Sequence, residues 1–149
     1  MAARYGGPKT ARTGNFRSGL EERIAAHIER QNVGFSFEEH YVKYTVPSRE
    51  AKYWPDFVLS NGILIEGKGI FETADRQKQL LIREQYPDLD IRIVFSSSKS
   101  KLYKGSPTTY GMWCEKHGIK YSDKLIPLSW LKEPSKTLPE GVLIRKGEK

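Results

Sequence analysis

This sequence predicts an α/β fold with a mixed central sheet, and three observations lead there. Segments with apolar residues at helical spacing alternate with short runs rich in β-branched and aromatic residues. Two of those runs flank Ser60-Asn61-Gly62, a hairpin signal, so part of the sheet is antiparallel. The chain has 149 residues, 38% hydrophobic and 29% charged, which suits one globular domain able to bury its own core.

Residues 1–17 read as a flexible basic arm. They hold Arg4, Lys9, Arg12 and Arg17, four small or ring-restricted residues (Gly6, Gly7, Pro8 and Gly14) and no acid. Residues 18–149 then form a single domain. Ser18-Gly-Leu-Glu21 is a capping box that starts a helix, whose apolar face is Leu20, Ile24, Ala25 and Ile28 and whose stop is Gly34. Residues 35–46 carry Phe35, Phe37, Tyr41, Tyr44 and Val46, enough for one or two strands, and Pro47 to Lys52 reads as a polar break. A hairpin spans 56–68. An amphipathic helix over Ala74–Gln85 ends at Pro87, and Asp90–Phe95 is a buried strand. A loop over 96–107 leads into a helix over Thr108–His117, stopped by Gly118. A short strand, a short helix around Trp130 and a polar tail follow.

Lys and Arg total 25 against 18 Asp and Glu, a formal charge of +7, which points to a polyanionic partner. The lone Cys114 excludes an intrachain disulfide framework and makes a reducing compartment the expectation. No apolar run approaches the roughly 18 residues of a membrane span, and the N-terminus lacks the apolar stretch of a secretory signal. A soluble protein that stays where it is made is expected.

The chemistry concentrates in Pro55-Asp56…Glu66-Gly67-Lys68. Alternation puts Glu66 and Lys68 on one face of their strand, about 7 Å apart, with Ile63 and Ile65 on the other. A three-residue loop at 60–62 pairs Leu59 with Ile63 and sets Asp56 opposite Glu66, β-carbons about 5 Å apart. A two-residue Asn61-Gly62 turn would instead separate the carboxylates onto different faces; the three-residue loop is preferred because it makes chemical sense of the residues. Carboxylates that close repel, and a hard divalent cation such as Mg²⁺ relieves the repulsion. The Gly67 carbonyl is a candidate further ligand, and Lys68 supplies positive charge where a phosphate gains negative charge. The set suits phosphodiester hydrolysis. Gly62-x4-Gly67-Lys68 also matches most of a P-loop, but Gly69 stands where Ser or Thr belongs and the middle is a strand.

Asp56…Glu66-x-Lys68 resembles the PD-(D/E)xK nuclease motif. The blocks FRSGLEERI, YWPDF, EGKG, LLIREQYPDLDIRIVFSS, KLYKGSPTTYG and CEKHGIKYSDKLIP, spread over residues 15–134, resemble one family, phage endonuclease I. The resemblance implies a restriction-endonuclease-like core and a homodimer that cuts four-way (Holliday) junctions and other branched DNA. It implies Mg²⁺, with Mn²⁺ able to substitute, at one or two ions per site. It implies metal-binding roles for Asp56 and Glu66, a place near the attacking water for Lys68, and a further active-site acid in Glu21. It also implies that the two subunits exchange the segment up to about residue 46, and that the enzyme works in the cytoplasm of an infected host cell.

Between Ile91 and Cys114 there is no acid, while Arg92, Lys99, Lys101 and Lys104 stand among Ser96, Ser97, Ser98, Tyr103, Ser106, Thr108 and Thr109. Such residues contact phosphates, so Lys99, Lys101 and Lys104 are expected on the DNA backbone, with Arg12 and Arg17 of the arm. Nothing suggests base reading. Trp54, Trp113 and Trp130 are expected in the core, His27 as a surface or hydrogen-bonded residue, and Cys114-x-x-His117 as no more than half a zinc site. Two other readings compete: a non-catalytic structure-specific DNA-binding module on the same fold, and a sequence-specific restriction-type nuclease.

Overall fold

The first helix shows how the core is laid down. The computed structural model describes Phe16 and residues 18–148. In it Ser18 caps helix α1 (Gly19–Arg30), its hydroxyl accepting the Glu21 N–H at 3.1 Å. The apolar face of α1 packs on one side of a five-stranded sheet, burying Leu20, Ile24, Ala25 and Ile28 against Phe35, Phe57, Leu59, Ile63 and Ile65. The helix stops earlier than expected. Gln31 is its C-cap and Asn32, at φ 57°, turns the chain, so Gly34 is already past the exit.

The sheet runs in the order β1 (Phe35–Phe37), β4 (Phe57–Leu59), β5 (Leu64–Lys68), β6 (Ile91–Phe95) and β7 (Tyr121–Asp123). The first three strands pair antiparallel and the last three parallel, so the sheet is mixed as expected. A parallel β5–β6 pair needs a crossover, and helix α2 (Thr73–Gln85) lies in it. β6 is buried throughout. Its residues Ile93 and Phe95 join Phe71, Tyr110, Trp113 and Cys114 in a second core under helix α3 (Tyr110–Lys116). A third core places Val58, Leu64 and Ile91 against Ile82 of α2 and Val42, Tyr44 and Tyr53 of a smaller sheet.

That smaller sheet corrects two expectations. Residues 47–52 do not form a polar break: β2 (His40–Val46) turns at Pro47-Ser48 and pairs antiparallel with β3 (Arg49–Tyr53). β3 is polar because it is an edge strand with most of its residues in solvent. The tail also returns, as β8 (Ile144–Arg145) pairs with His40 and Tyr41 on the other edge of β2. The short helix around Trp130 is α4 (Leu128–Leu131).

Arg92, the first basic residue of the acid-free stretch, is taken up inside the fold. It is 1% exposed and binds Asp90 through Nε and Nη2 at 2.9 and 2.8 Å, with Glu133 on its other edge and the Trp130 ring 5.1 Å away. A charge committed to two carboxylates inside the fold has no surface for DNA. Glu133 lies 41 residues along the chain, beyond the reach of a local charge count.

The hairpin turn fixes the register on which the site depends. Gly62 has φ +93°, and a Cβ there would lie 2.8 Å from the Lys136 carbonyl oxygen. Left-handed backbone and that contact both exclude a side chain. Gly62→Ala is expected to lower stability by about 2–3 kcal/mol in urea unfolding, with the slope of the transition unchanged.

Candidate active site

The β4–β5 pair has Phe57 opposite Ile65 and Val58 opposite Leu64, and Leu59 N–H donates to the Ile63 carbonyl at 2.9 Å. This is the three-residue loop; the pairing ends at Phe57–Ile65, and Asp56 and Glu66 are the next residue of each chain segment. Asn61 holds the loop: its Oδ1 accepts the Ile63 N–H at 3.2 Å and its Nδ2 donates to the Trp130 carbonyl at 2.9 Å. With Gly62-to-Gly67 spanning a turn and a strand, the P-loop match has no phosphate-cradling loop behind it.

Asp56 and Glu66 are both buried. Together with Lys68 they line one cavity of about 210 Å³ between β3, the hairpin and the start of α2. Each is held by a specific hydrogen-bond partner. The Gly67 N–H donates to Asp56 Oδ2 at 2.9 Å, so Gly67 meets Asp56 through its amide. The Tyr53 hydroxyl donates to Glu66 Oε1 at 2.8 Å, and Gln79 Nε2 donates in turn to that hydroxyl at 3.4 Å. Lys68 Nζ donates to Asp75 Oδ1 at 2.9 Å. Asp75 is itself fixed, because its Oδ2 accepts the Glu72 N–H at 3.0 Å in a capping box that starts α2.

A second grouping meets the first at Asp56. Carboxylate oxygens of Glu21, Glu38 and Asp56 all lie within 4.8 Å of one another. The α1 cap brings Glu21 there, and Glu21 reaches Asp56 of its own chain. Glu38 sits between β1 and β2 at φ 54°, and its N–H donates to the Asp56 carbonyl at 3.1 Å. A non-glycine residue in the left-handed region at such a place marks a constrained site. Of the expected acids, Asp56 thus joins two carboxylate groups, with Glu66 across the strand pair and Glu21 on the helix side. Hard carboxylate oxygens of Glu21, Glu38 and Asp56 within 4.8 Å of one another, with Glu66 in the same cavity as Asp56, fit a divalent cation such as Mg²⁺ or Mn²⁺.

The electrostatics agree with that fit. Burial pushes the Asp56 carboxyl well above its ordinary range, and the Glu66 charge adds to this while the Gly67 N–H opposes it. Burial raises Glu66 from 4.5 to about 7, against the opposing pull of Lys68 and Tyr53. Burial alone would lower the Lys68 ammonium, but the Asp75 hydrogen bond and the Glu66 and Asp75 charges raise it, so it stays protonated. Tyr53 is driven well above 10 by burial and then by Glu66, so it remains a donor.

Glu38, Tyr53 and Asp75 are the site residues the sequence did not single out, and Trp54 is one it assigned to the core. Tyr53 fell just past the apparent break, and Asp75 was one polar residue of an amphipathic helix. An acid pair, Glu38-Glu39, between two aromatic runs was the only mark of Glu38. Trp54 departs from its expected core place: it is 36% exposed on the cavity rim, whereas Trp113 and Trp130 are buried. His27 is buried, with Nε2 2.7 Å from the Ile126 carbonyl. Cys114 is buried and its thiol is pushed up to about 12 by burial, which leaves no nucleophile.

Lys99, Lys101 and Lys104 are exposed on the loop after β6. That loop leaves the sheet beside Lys68, since the Ser96 N–H donates to the Lys68 carbonyl at 3.0 Å. Two of its expected phosphate donors are spent internally. Ser98 binds Asp123 through its N–H and hydroxyl, and Ser106 exchanges hydrogen bonds with Thr108. Arg12 and Arg17 lie outside the described residues. No helix among the described residues is long and apolar enough to cross a membrane.

The raised Glu66 carboxyl fixes the sign of a pH effect. Between pH 4.5 and about 7 the folded metal-free protein keeps a proton that the unfolded chain has released, so stability falls as pH rises through that window. Glu66→Gln keeps an acceptor for Tyr53 and has no charge to bury. In EDTA it is expected to exceed the parent in stability at pH 8 by on the order of 2–3 kcal/mol, and to match it near pH 4. Urea unfolding at the two pH values measures this.

A model of the family described as Phage endonuclease I matches residues 1–149. The chain is 56% identical over 147 residues, 99% of each chain, to "Endonuclease I" of Escherichia phage T7. It is also 56% identical over 124 residues to "Endodeoxyribonuclease 1" of Enterobacteria phage T3, covering 83% of this chain and 82% of the relative. With the match running from end to end and more than half of the residues identical, the chain belongs to the phage endonuclease I family.

Proposed function

We propose that this protein is a structure-selective endodeoxyribonuclease that hydrolyses phosphodiester bonds in four-way junctions and other branched DNA. The observation that carries the reading is the opening of Asp56, Glu66 and Lys68 onto one cavity, each fixed by its own hydrogen-bond partner. The two relatives, named as an endonuclease and an endodeoxyribonuclease, support the same reaction class and DNA as substrate.

Asp56, Glu66 and Glu21, with the Gly67 carbonyl, are the proposed metal ligands, and Glu38 adds a fourth carboxylate beside Asp56. When bound, Mg²⁺ or Mn²⁺ lowers the pKa of water and takes up charge on the phosphate oxygens. The chain's own groups do the rest. The Gly67 and Tyr53 donors keep the two motif carboxylates aimed at shared ground, so little reorganisation accompanies the reaction. The Lys68 ammonium, anchored by Asp75, stands where negative charge grows as water adds to phosphorus and an ester oxygen leaves. Lys99, Lys101 and Lys104 hold the backbone beside the cut, and the basic arm, with Arg12 and Arg17, holds a second duplex.

Paired cuts in a junction call for two sites related by a two-fold axis, so the working form is a homodimer. In that dimer the segment up to about residue 46 is exchanged, and the contacts of Glu21 and β1 with the hairpin form between copies. As for the relatives' phage hosts, the place of action is the cytoplasm of an infected cell, in the resolution of recombining DNA.

The test is incubation of purified protein with a labelled four-way junction and a linear duplex of the same sequence. Selective cutting of the junction in Mg²⁺ is expected. Binding without cutting in any divalent metal would select the non-catalytic DNA-binding module, and equal cutting of the duplex would select a restriction-type enzyme. Lys68→Ala is expected to slow cutting by about 10²–10³-fold with junction affinity little changed; an equal loss of both would remove Lys68 from the chemistry. Lys101→Ala is expected to weaken binding and to reduce the slope of log affinity against log salt by about 0.9, as for one lost phosphate contact.

A further inference from the structure

The rim of the cavity carries groups that hydrolysis itself does not use. Trp54 keeps 36% of its surface in solvent, although an indole is among the most favourable side chains to bury. It directly precedes Pro55-Asp56 and lines the same cavity as Asp56, Glu66 and Lys68. One side of the ring is braced, because the buried Tyr41 ring lies 4.8 Å from it at 44°. Tyr41 in turn carries Lys52 Nζ 4.5 Å from its centroid. Lys52 and Lys78 both line the cavity, and neither forms an ion pair within the described residues.

The rim therefore offers a braced aromatic face flanked by two ammonium groups, next to carboxylates that repel a phosphodiester. Aromatic faces interleaved with cations are the chemistry that holds single-stranded nucleic acid. A base stacked within a duplex has no free face for an indole, whereas one at a branch point or an opened step has. We propose that Trp54 is the stacking platform for an unstacked nucleobase beside the scissile phosphate, with Lys52 and Lys78 on the phosphate of that nucleotide. The inference rests on the nuclease reading and deepens it: branched DNA is selected partly because the cut requires a base that can leave its stack.

The experiment is a cycle between protein and DNA. Trp54→Ala, Trp54→Phe and the parent are measured against an intact four-way junction and against junctions lacking the base on either side of the cut. Affinity is read in EDTA and single-turnover cleavage in Mg²⁺. Trp54→Ala is expected to weaken binding to the intact junction by about 5- to 150-fold, and Trp54→Phe to recover most of the loss. One base-less junction is expected to bind the parent as weakly as the intact junction binds Trp54→Ala, with no further loss when the two changes are combined. Losses that multiply, or an unaltered Trp54→Ala, would overturn the inference while leaving a parent that cuts junctions a nuclease. A parent that neither binds nor cuts would overturn the nuclease reading itself, and this inference with it. Trp54→Leu keeps an apolar contact for Tyr41 without a π face, and it carries the same comparison if the alanine variant unfolds.

Discussion

The pairing register of the β4–β5 hairpin is the constraint on which the rest of the molecule depends. Side chains alternate across a strand, so a slip of one residue would send Asp56 and Glu66 to opposite faces. The register is pinned from both ends of the turn. Gly62 takes a left-handed backbone against Lys136, and Asn61 ties the loop to the segment around Trp130. Apolar packing then enforces it, with Ile63 and Ile65 under α1 and Leu64 under α2. Once the register is set, the acids meet without further adjustment.

Folding and function pull against each other at this spot. Two carboxylates are buried against one another, with a third and a fourth near Asp56, and only Lys68 among the motif residues opposes them. Burial without full compensation is why both motif acids titrate high. The fold tolerates this because each motif residue has a partner, the Gly67 N–H for Asp56, the Tyr53 hydroxyl for Glu66 and the Asp75 carboxylate for Lys68. The lysine shows the same logic: a helix start fixes Asp75, and Asp75 fixes Lys68.

What could be read from the chain and what could not follows from the range of each interaction. The hairpin was legible because its alternation and its Ser60-Asn61-Gly62 turn are local. So was the α1 cap, which is why Glu21 stood out. β3 was missed because an exposed edge strand has no apolar alternation to display. The Arg92–Glu133 pair was illegible because Glu133 is distant in sequence, and Trp54 read as core because its neighbour Tyr41 sits on another strand. Tyr53, Asp75 and Glu38 reach the site only through tertiary placement, and each had a bland local role to conceal it.

The most direct measurement is anomalous diffraction from a crystal of the protein soaked in Mn²⁺. A peak is expected at coordination distance from an Asp56 oxygen and from at least one further carboxylate of Glu66, Glu21 or Glu38. A well-ordered site with Mn²⁺ bound elsewhere, and none at Asp56, would contradict it.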